Sequence, residues 1–238
     1  MSVNTIIEAL SNKGAPRVLT ATTIRRLIER HNFADAAASD TIINSLVNVK
    51  ALHRVTDNVY LNYLQLPMPS PAEALRIAVP DGFLSLHTVL GQSGVLNNPT
   101  FTYMCVRKAS ILQRETEIDL IGSRFSNKNP SPLYHVYAME KGYILGMQAD
   151  HIDSSFSYPR ATVERAFCDW LYLAAEERQI ISSPPPLDCD ISLMDMDRLE
   201  RVASDLGVTD DLQLWLERHA EYNADADNDA NMSLAIGF

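Results

Sequence analysis

Two short amphipathic helices followed at once by a hairpin are predicted within residues 20–62, and this order constrains the fold more than any other feature. In the first helix, apolar residues recur at the spacing of one helical face: Leu19, Ile24, Leu27 and Ile28. Thr20 or Thr22 is positioned to cap this helix. Its outer face carries three arginines, Arg25, Arg26 and Arg30.

The second helix is predicted to begin at Ser39 or Asp40, with an apolar face of Ile42, Ile43, Leu46 and Val47. A hairpin should follow, with strands over residues 52–55 and 59–62 and a turn at residues 56–58. A short strand at residues 17–19 and an earlier helix over residues 3–10 are also predicted. Helix, turn, helix and wing is the order of a winged helix-turn-helix.

The polar side chains of this unit are candidates for contacts with duplex DNA. Short polar side chains opposite the apolar face of the second helix can reach base edges in a major groove. The candidate DNA-binding residues are Arg25, Arg26, Arg30, Thr41, Asn44, Ser45, Asn48, Lys50, His53, Arg54 and Asn58. Winged helices also serve as protein-contact modules, and a polar helical face is often only solvated, so a protein-interaction unit is the alternative.

Charge is divided unevenly along the chain. Residues 1–65 hold seven Lys or Arg and five acids, so their net charge is +2, whereas the whole chain carries −10 and residues 66–238 therefore −12. Neutralisation of phosphates supplies most non-specific affinity for DNA, so two copies on an inverted repeat should be needed. The acidic remainder is either a solvated surface or a face for a basic protein partner.

Composition is that of an ordinary globular chain. The hydrophobic content is 46%, no apolar run approaches the roughly 18 residues of a membrane span, and no signal sequence is apparent, so we expect a cytoplasmic protein without membrane contact. Cys105, Cys168 and Cys189 are odd in number and widely spaced. Small buried hydrophobes are therefore expected, not a disulfide framework or a zinc site.

Three prolines within residues 66–71 mark the predicted domain boundary. We expect an α+β protein, with a DNA-binding head at residues 1–65, a mixed α/β body with C-terminal helices at residues 72–221, and an acidic, mobile tail at residues 222–238. The expected body strands cover residues 101–106, 117–121, 133–139 and 143–147, the last two joined through a turn at 140–142. Helices are expected at residues 72–78 and after Ser85.

The strongest predicted helix of the body follows the cap Thr162. One apolar stripe contains Val163, Ala166, Phe167, Trp170, Leu171 and Ala174, and this should be the central packing helix. The outer face should present Glu164, Arg165, Asp169 and Glu177 to solvent. Two further helices are expected, one ended by Gly207 and one capped by Thr209.

Tests for catalytic and metal-binding patterns give no convincing site. Asp225, Asp227 and Asp229 have the first spacings of a calcium loop, but the required glycine and glutamate positions are Ala230 and Ile236. Asp150, His151 and Asp153 are typical of a solvated turn. A nucleotidyltransferase would need a downstream carboxylate pair for Mg²⁺ after Gly122-Ser123, and none is found. We therefore expect no enzymatic activity, no cofactor and no metal.

Residues 80–90 (PDGFLSLHTVL) contain a glycine-aromatic-x-serine pattern. This segment and two later ones resemble the family of AbiEi-type antitoxins, the transcriptional regulators of type IV (abortive infection) toxin–antitoxin systems. Residues 161–173 (ATVERAFCDWLYL) are similar to its "ATPEKALLDLLYL" helix, with Val163 where proline is common, and residues 197–203 (DRLERVA) to a late helix. Together with the head, the resemblance covers most of residues 1–220.

The resemblance implies an antitoxin that represses its own operon by binding promoter DNA through the head. It also implies that the body opposes a cognate nucleotidyltransferase toxin. The second helix of the head has no Arg or Lys before Lys50, where the family is often basic. The alternative is a protein-interaction adaptor or toxin inhibitor whose head does not bind DNA.

Overall fold

The protein has the predicted α+β class. The computed structural model describes residues 3–31, 36–98, 102–108, 118–122, 132–139 and 151–236, with backbone alone at 36–37 and 226–236. The helices are α1 Val3–Ser11, α2 Ala21–Arg30, α3 Ala36–Asn48, α4 Leu75–Ala78, α5 Leu86–Gln92, α6 Val163–Ala174, α7 Met196–Leu206 and α8 Thr209–Ile236. The strands are β1 Val18–Thr20, β2 Leu52–Arg54, β3 Val59–Asn62, β4 Gly82–Leu84, β5 Tyr103–Lys108, β6 Ile118–Ile121 and β7 Tyr134–Met139.

A three-stranded antiparallel sheet of order β1-β3-β2 closes the N-terminal part of the chain. Leu19 lies opposite Tyr60, and His53 lies opposite Leu61. The helices α1, α2 and α3 enclose a core of their own, which contains Ile6, Leu10, Ile24, Ile28, Ile43 and Leu46. Thr20 caps α2, because its hydroxyl accepts a hydrogen bond of 3.1 Å from Thr23 N. The helix α3 begins at Ala36, earlier than the predicted Ser39 or Asp40.

The C-terminal end of α3 is closed by a Schellman cap. The amide of Ala51 donates to the carbonyl of Leu46 at 2.9 Å, and the amide of Lys50 donates to that of Val47 at 3.0 Å. Lys50 takes the left-handed conformation, with φ of 59°, in the position where glycine is usual. This cap turns the chain directly into β2.

The larger part of the molecule contains a second, four-stranded sheet of order β4-β5-β7-β6. The strand β5 is parallel to β7, while β4 and β6 pair antiparallel with β5 and β7. The strand β4 was not predicted, because three residues are too few to show a strand period. The predicted helix at 72–78 is a 3-10 turn, Pro71–Ala74, followed by α4. The expected turn at 140–142 and strand at 143–147 lie outside the described residues.

The helix α6 is the central packing helix, but the prediction for its outer face was wrong. Glu164, Arg165 and Asp169 are buried, because α5, α7 and α8 all pack around α6. The predicted apolar stripe is buried at Ala166, Phe167 and Leu171, whereas Trp170 is half-buried and donates to the carbonyl of Ser183 at 2.9 Å. Glu177 is exposed, as predicted. Polar groups on a helix covered on all sides need internal partners.

The proline segment does not mark a sharp boundary between the two hydrophobic cores. Val55, Val59 and Leu61 belong to the same hydrophobic cluster as the body. Arg17 donates to both carboxylate oxygens of Glu73 at 2.6 and 3.0 Å and to the carbonyl of Pro67 at 2.6 Å. A Cβ atom on Gly122, at the end of β6, would lie 2.5 Å from the carbonyl oxygen of Val55. The hairpin side of the N-terminal unit is therefore packed against the body.

The end of α7 at Gly207 is confirmed, whereas Thr209 is the first residue of α8 and not its predicted cap. Asp195 caps α7 by accepting from Arg198 N at 3.0 Å, and Gly207 ends it with φ of 71°. The helix α8 begins at Thr209, and its backbone stays helical to Ile236, through the segment expected to be a tail. All three cysteines are free and buried, as predicted. Among the helices described, none is long and apolar enough to cross a membrane.

Candidate nucleic-acid interface

The polar face of α3 is open to solvent. Thr41, Asn44 and Asn48 are exposed and Ser45 is half-buried, on the side opposite Ile43 and Leu46. The Ser45 hydroxyl donates to the carbonyl of Thr41 at 2.9 Å, so it is engaged within its own helix. The predicted face therefore exists as a continuous polar surface, with Asn48 at its C-terminal end.

Arg54 joins the hairpin to this face. Its Nη2 donates to Oδ1 of Asn44 at 2.8 Å, and its guanidinium lies 5.7 Å from the centre of the Tyr60 ring. The Asn44 amide oxygen has two lone pairs and one of them accepts from Arg54, so the bond fixes the orientation of this side chain and leaves the second lone pair and the amide nitrogen for a base. Asn48 is exposed further along the same face.

The predicted arginines divide between two surfaces. Arg25 pairs with Asp40 of α3 at 2.9 Å, and an exposed pair of this kind contributes only about 0–1 kcal/mol. Arg26 and Arg30 border a groove of about 350 Å³ that is lined by α1, β1 and α2 residues and not by α3. The structure thus brings Arg25 to the polar face of α3 but leaves Arg26 and Arg30 beside α1.

The remaining predicted residues surround the hairpin. His53 stacks on Tyr63 with ring centroids 5.1 Å apart, and burial lowers the pKa of His53. Asn58 is exposed at the turn, and its carbonyl accepts from Ala21 N at 3.0 Å, which ties the turn to the start of α2. Lys50 is exposed between α3 and β2. Hairpin, α2 and α3 are therefore held together by specific hydrogen bonds.

Sequence reasoning missed a buried polar network in the body. Asp169 accepts from the Ser85 hydroxyl at 2.6 Å and from Arg165 Nε at 2.6 Å. Arg165 Nη1 contacts His151 Nδ1 at 2.8 Å, and His151 Nε2 contacts Asp205 at 3.2 Å. Ser85, Arg165, Asp169 and His151 are all 0% exposed.

The hydrogen bonds of this network determine the state of its histidine. A guanidinium only donates, so His151 Nδ1 accepts from Arg165 and the proton lies on Nε2, toward Asp205. Burial lowers the pKa of His151, and the nearby Asp205 opposes that shift. The predicted solvated turn was therefore wrong for His151, while Asp150 lies outside the described residues. The four buried side chains are closed to a substrate, so we interpret the network as structural.

The spacing of Arg165 and Asp169 could have revealed this network. Four residues apart on a helix, the two can form an ion pair on one face, and apolar residues flank them on both sides. Neither pattern identifies Ser85 or His151, which come from distant parts of the chain. Within the described residues, no group of three His, Cys, Asp or Glu is arranged to hold a metal ion.

The chain is an α+β protein with two structural units, a three-helix unit with its small sheet and an α/β body. No protein-family model and no curated protein matches it. A similar solved structure is the crystal structure of the RV2827C protein from Mycobacterium tuberculosis, with a TM-score of 0.55 and 13% identity. The match covers 88% of this chain and 76% of that one. At such identity the likeness concerns the fold alone.

Proposed function

We propose that residues 3–62 form a winged helix and that the protein is a DNA-binding regulator of transcription. In this proposal α3 lies in a major groove and the β2–β3 hairpin is the wing. The observation that carries the proposal is the exposed polar face of α3, held to the hairpin by the Arg54–Asn44 hydrogen bond. Pre-organised short polar side chains suit base edges.

The conformation of Lys50 supports the same function. A non-glycine residue in the left-handed region costs roughly 1–2 kcal/mol, and glycine would avoid that cost. Lys50 keeps a long cationic side chain beside the α3 face despite this strain, which indicates that its charge has a function. Contact with a backbone phosphate is such a use, since lysine is a common phosphate donor.

Charge favours binding by two copies. The net charge of +2 over residues 1–65 is small, and Asp40 offsets Arg25 at the α3 face. Affinity for the phosphate backbone depends on the number of cations that contact it, so one copy should bind weakly. We propose that a dimer binds an inverted repeat in the protein's own promoter.

The antitoxin role in this proposal rests on the resemblance of residues 80–90, 161–173 and 197–203 to AbiEi-type antitoxins. These segments are neighbours: Ser85 of the first bonds to Asp169 of the second. Cys168 of the second also contacts the carbonyl of Leu199 in the third, at 3.8 Å. We propose that the body built on them opposes a nucleotidyltransferase toxin and that its excess of acids meets a basic partner.

The DNA proposal is tested with the full-length protein. Selection from a random duplex library, followed by fluorescence anisotropy at low salt, should yield one preferred inverted repeat. Asn48→Ala should relax selectivity by roughly 1–3 kcal/mol at one position, and Arg25→Glu should weaken binding to all sequences. Asn44→Ala should also relax selectivity at one position, and it should in addition release Arg54 from α3.

Failure to enrich any duplex would reject DNA binding and favour the alternative, a protein-interaction adaptor. The antitoxin role needs a separate test, in which the product of the adjacent open reading frame is expressed with and without this protein. That product should be toxic when it is expressed alone and harmless when it is expressed together with this protein. The Asn44→Ala/Asn48→Ala variant should still protect if the body neutralises the toxin directly. Absence of toxicity would remove the antitoxin proposal without affecting DNA binding.

A further inference from the structure

An exposed aliphatic side chain lies at the C-terminal end of the polar face of α3. Val49 is 61% exposed, and it is the one large apolar side chain that is exposed within the described part of residues 3–62. Its neighbour on the helix surface is Ser45, four residues earlier, while Asn48, the preceding residue, is also exposed but points in another direction. The face proposed to meet DNA is thus polar along its length and apolar at its end.

The backbone of Val49 is held in place. Its amide donates to the carbonyl of Ser45 at 3.0 Å, which continues the hydrogen-bond pattern of α3 by one residue. The following residues, Lys50 and Ala51, donate to Val47 and Leu46 and complete the Schellman cap. Ala51 is buried at that cap. Val49 is therefore presented on a closed helix end.

Chemistry restricts what such a side chain can recognise in DNA. Base edges in the major groove present hydrogen-bond donors and acceptors, and the one apolar group among them is the C5-methyl of thymine. A valine has no polar atom with which to use the other groups. Its two methyl groups are exposed to water in the free protein, and their burial on binding is favourable only where they meet an apolar surface.

We propose that Val49 determines specificity by contacting the C5-methyl group of a thymine in the major groove. This inference rests on the proposed function and names the bases that α3 prefers. Asn48, the residue before Val49 in the sequence, has the amide that pairs bidentately with the N6 and N7 atoms of adenine. The C-terminal end of α3 therefore recognises A·T pairs through one methyl contact and one amide pair.

Replacement of thymine by deoxyuridine tests the methyl contact. Deoxyuridine pairs as thymine does but lacks the C5-methyl group. The selected duplex is prepared with each thymine replaced in turn, and the Kd of the full-length protein is measured by fluorescence anisotropy. At one position per half-site the wild-type protein should bind about fourfold more weakly, which corresponds to about 0.8 kcal/mol for a methyl-sized group.

The matched variant is Val49→Ala, which shortens the side chain at an exposed position of the cap. Val49→Ala should have the same Kd for the thymine duplex and for the duplex with deoxyuridine at that position. A loss of affinity that the wild type and Val49→Ala share would instead come from a change in the DNA itself. Val49→Thr, which keeps one methyl group, should be intermediate. Equal binding of the wild type to every substituted duplex would overturn the inference while leaving DNA binding intact. Failure to bind any duplex would end both proposals together.

Discussion

The Ser85 hydroxyl donates to Asp169 at 2.6 Å across 84 positions of sequence, and both side chains are fully buried. Ser85 occupies the cap position of α5, yet its side chain does not cap that helix. Instead it donates one of the hydrogen bonds that satisfy the Asp169 carboxylate beside Arg165. The link fastens α5 to α6 and closes the polar network at the centre of the body.

We expect Asp169→Asn to lower the free energy of unfolding by about 3–5 kcal/mol, because it leaves the Arg165 guanidinium buried without its anion. Urea denaturation followed by far-UV circular dichroism measures the change. The exposed Glu177→Gln should stay within about 0.5 kcal/mol of the wild type. The pair Arg165→Met and Asp169→Leu should recover much of the loss. A single Asp169→Asn variant as stable as the wild type would contradict this account.

Stability should fall as the pH drops below about 6.5, the ordinary pKa of histidine. Burial lowers the pKa of His151 in the folded protein, so the unfolded chain takes up a proton first and acid favours unfolding. The contribution is complete above pH 6.5 and is lost toward the lower folded-state pKa. His151→Asn keeps an acceptor for Arg165 but does not titrate, so its free energy of unfolding should depend less on pH between 5 and 6.5.

The free energy of unfolding of His151→Asn should still depend on pH. That dependence should come partly from His53 and His87, whose pKa values burial also lowers. Denaturation curves at a series of pH values measure both slopes. Identical slopes for the two proteins would show that His151 is not the group that binds the extra proton on unfolding.

Lys50→Gly should stabilise the protein and weaken DNA binding at the same time. Removal of the side chain relieves the left-handed strain by about 1 kcal/mol, while each copy loses one phosphate contact. The slope of log Kobs against log salt should therefore fall by about 1.8 for a bound dimer, since each lost contact accounts for about 0.9. Lys50→Ala is the matched control, since it loses the charge and keeps the strain. Stabilisation without any change in the salt slope would remove Lys50 from the interface.

Gly122→Ala should destabilise the protein by about 2–4 kcal/mol, since the new methyl group meets the Val55 carbonyl and the backbone is left-handed there. Gly14→Ala is the control, because Gly14 has φ of 96° but open space around it, and should cost about 1 kcal/mol. Thermal and urea unfolding compare the two. Equal losses of unfolding free energy in the two variants would mean that the close contact between Gly122 and the Val55 carbonyl does not affect stability.

Local patterns were sufficient for much of the N-terminal unit. The spacing of apolar residues predicted α1, α2 and both hairpin strands, and Thr20 was recognisable as a cap. Such signals depend on residues within a few positions of one another. The three-residue strand β4 gave no such signal, since its pairing with β5 depends on a partner about twenty positions away.

The site shows the same division. Periodicity predicted that Asn44 and Asn48 share an exposed face of α3, and they do. It did not predict that Arg54 engages Asn44, or that Arg26 lies beside α1. A repeat of 3.6 residues tells which side chains share a direction, but not which element covers them or which long side chain reaches them.

By itself the sequence determined the α+β class, the cap of α2 at Thr20, the end of α7 at Gly207 and the burial of the three cysteines, because each follows from short-range periodicity, backbone preference or hydrophobicity. The tertiary structure alone decided that Arg165 and Asp169 are internal and that Ser85 and His151 join them. It also decided that Val55 packs against the body. The reason is physical: burial of a charged side chain depends on whether partners from distant segments offset its desolvation, and no local pattern contains those partners.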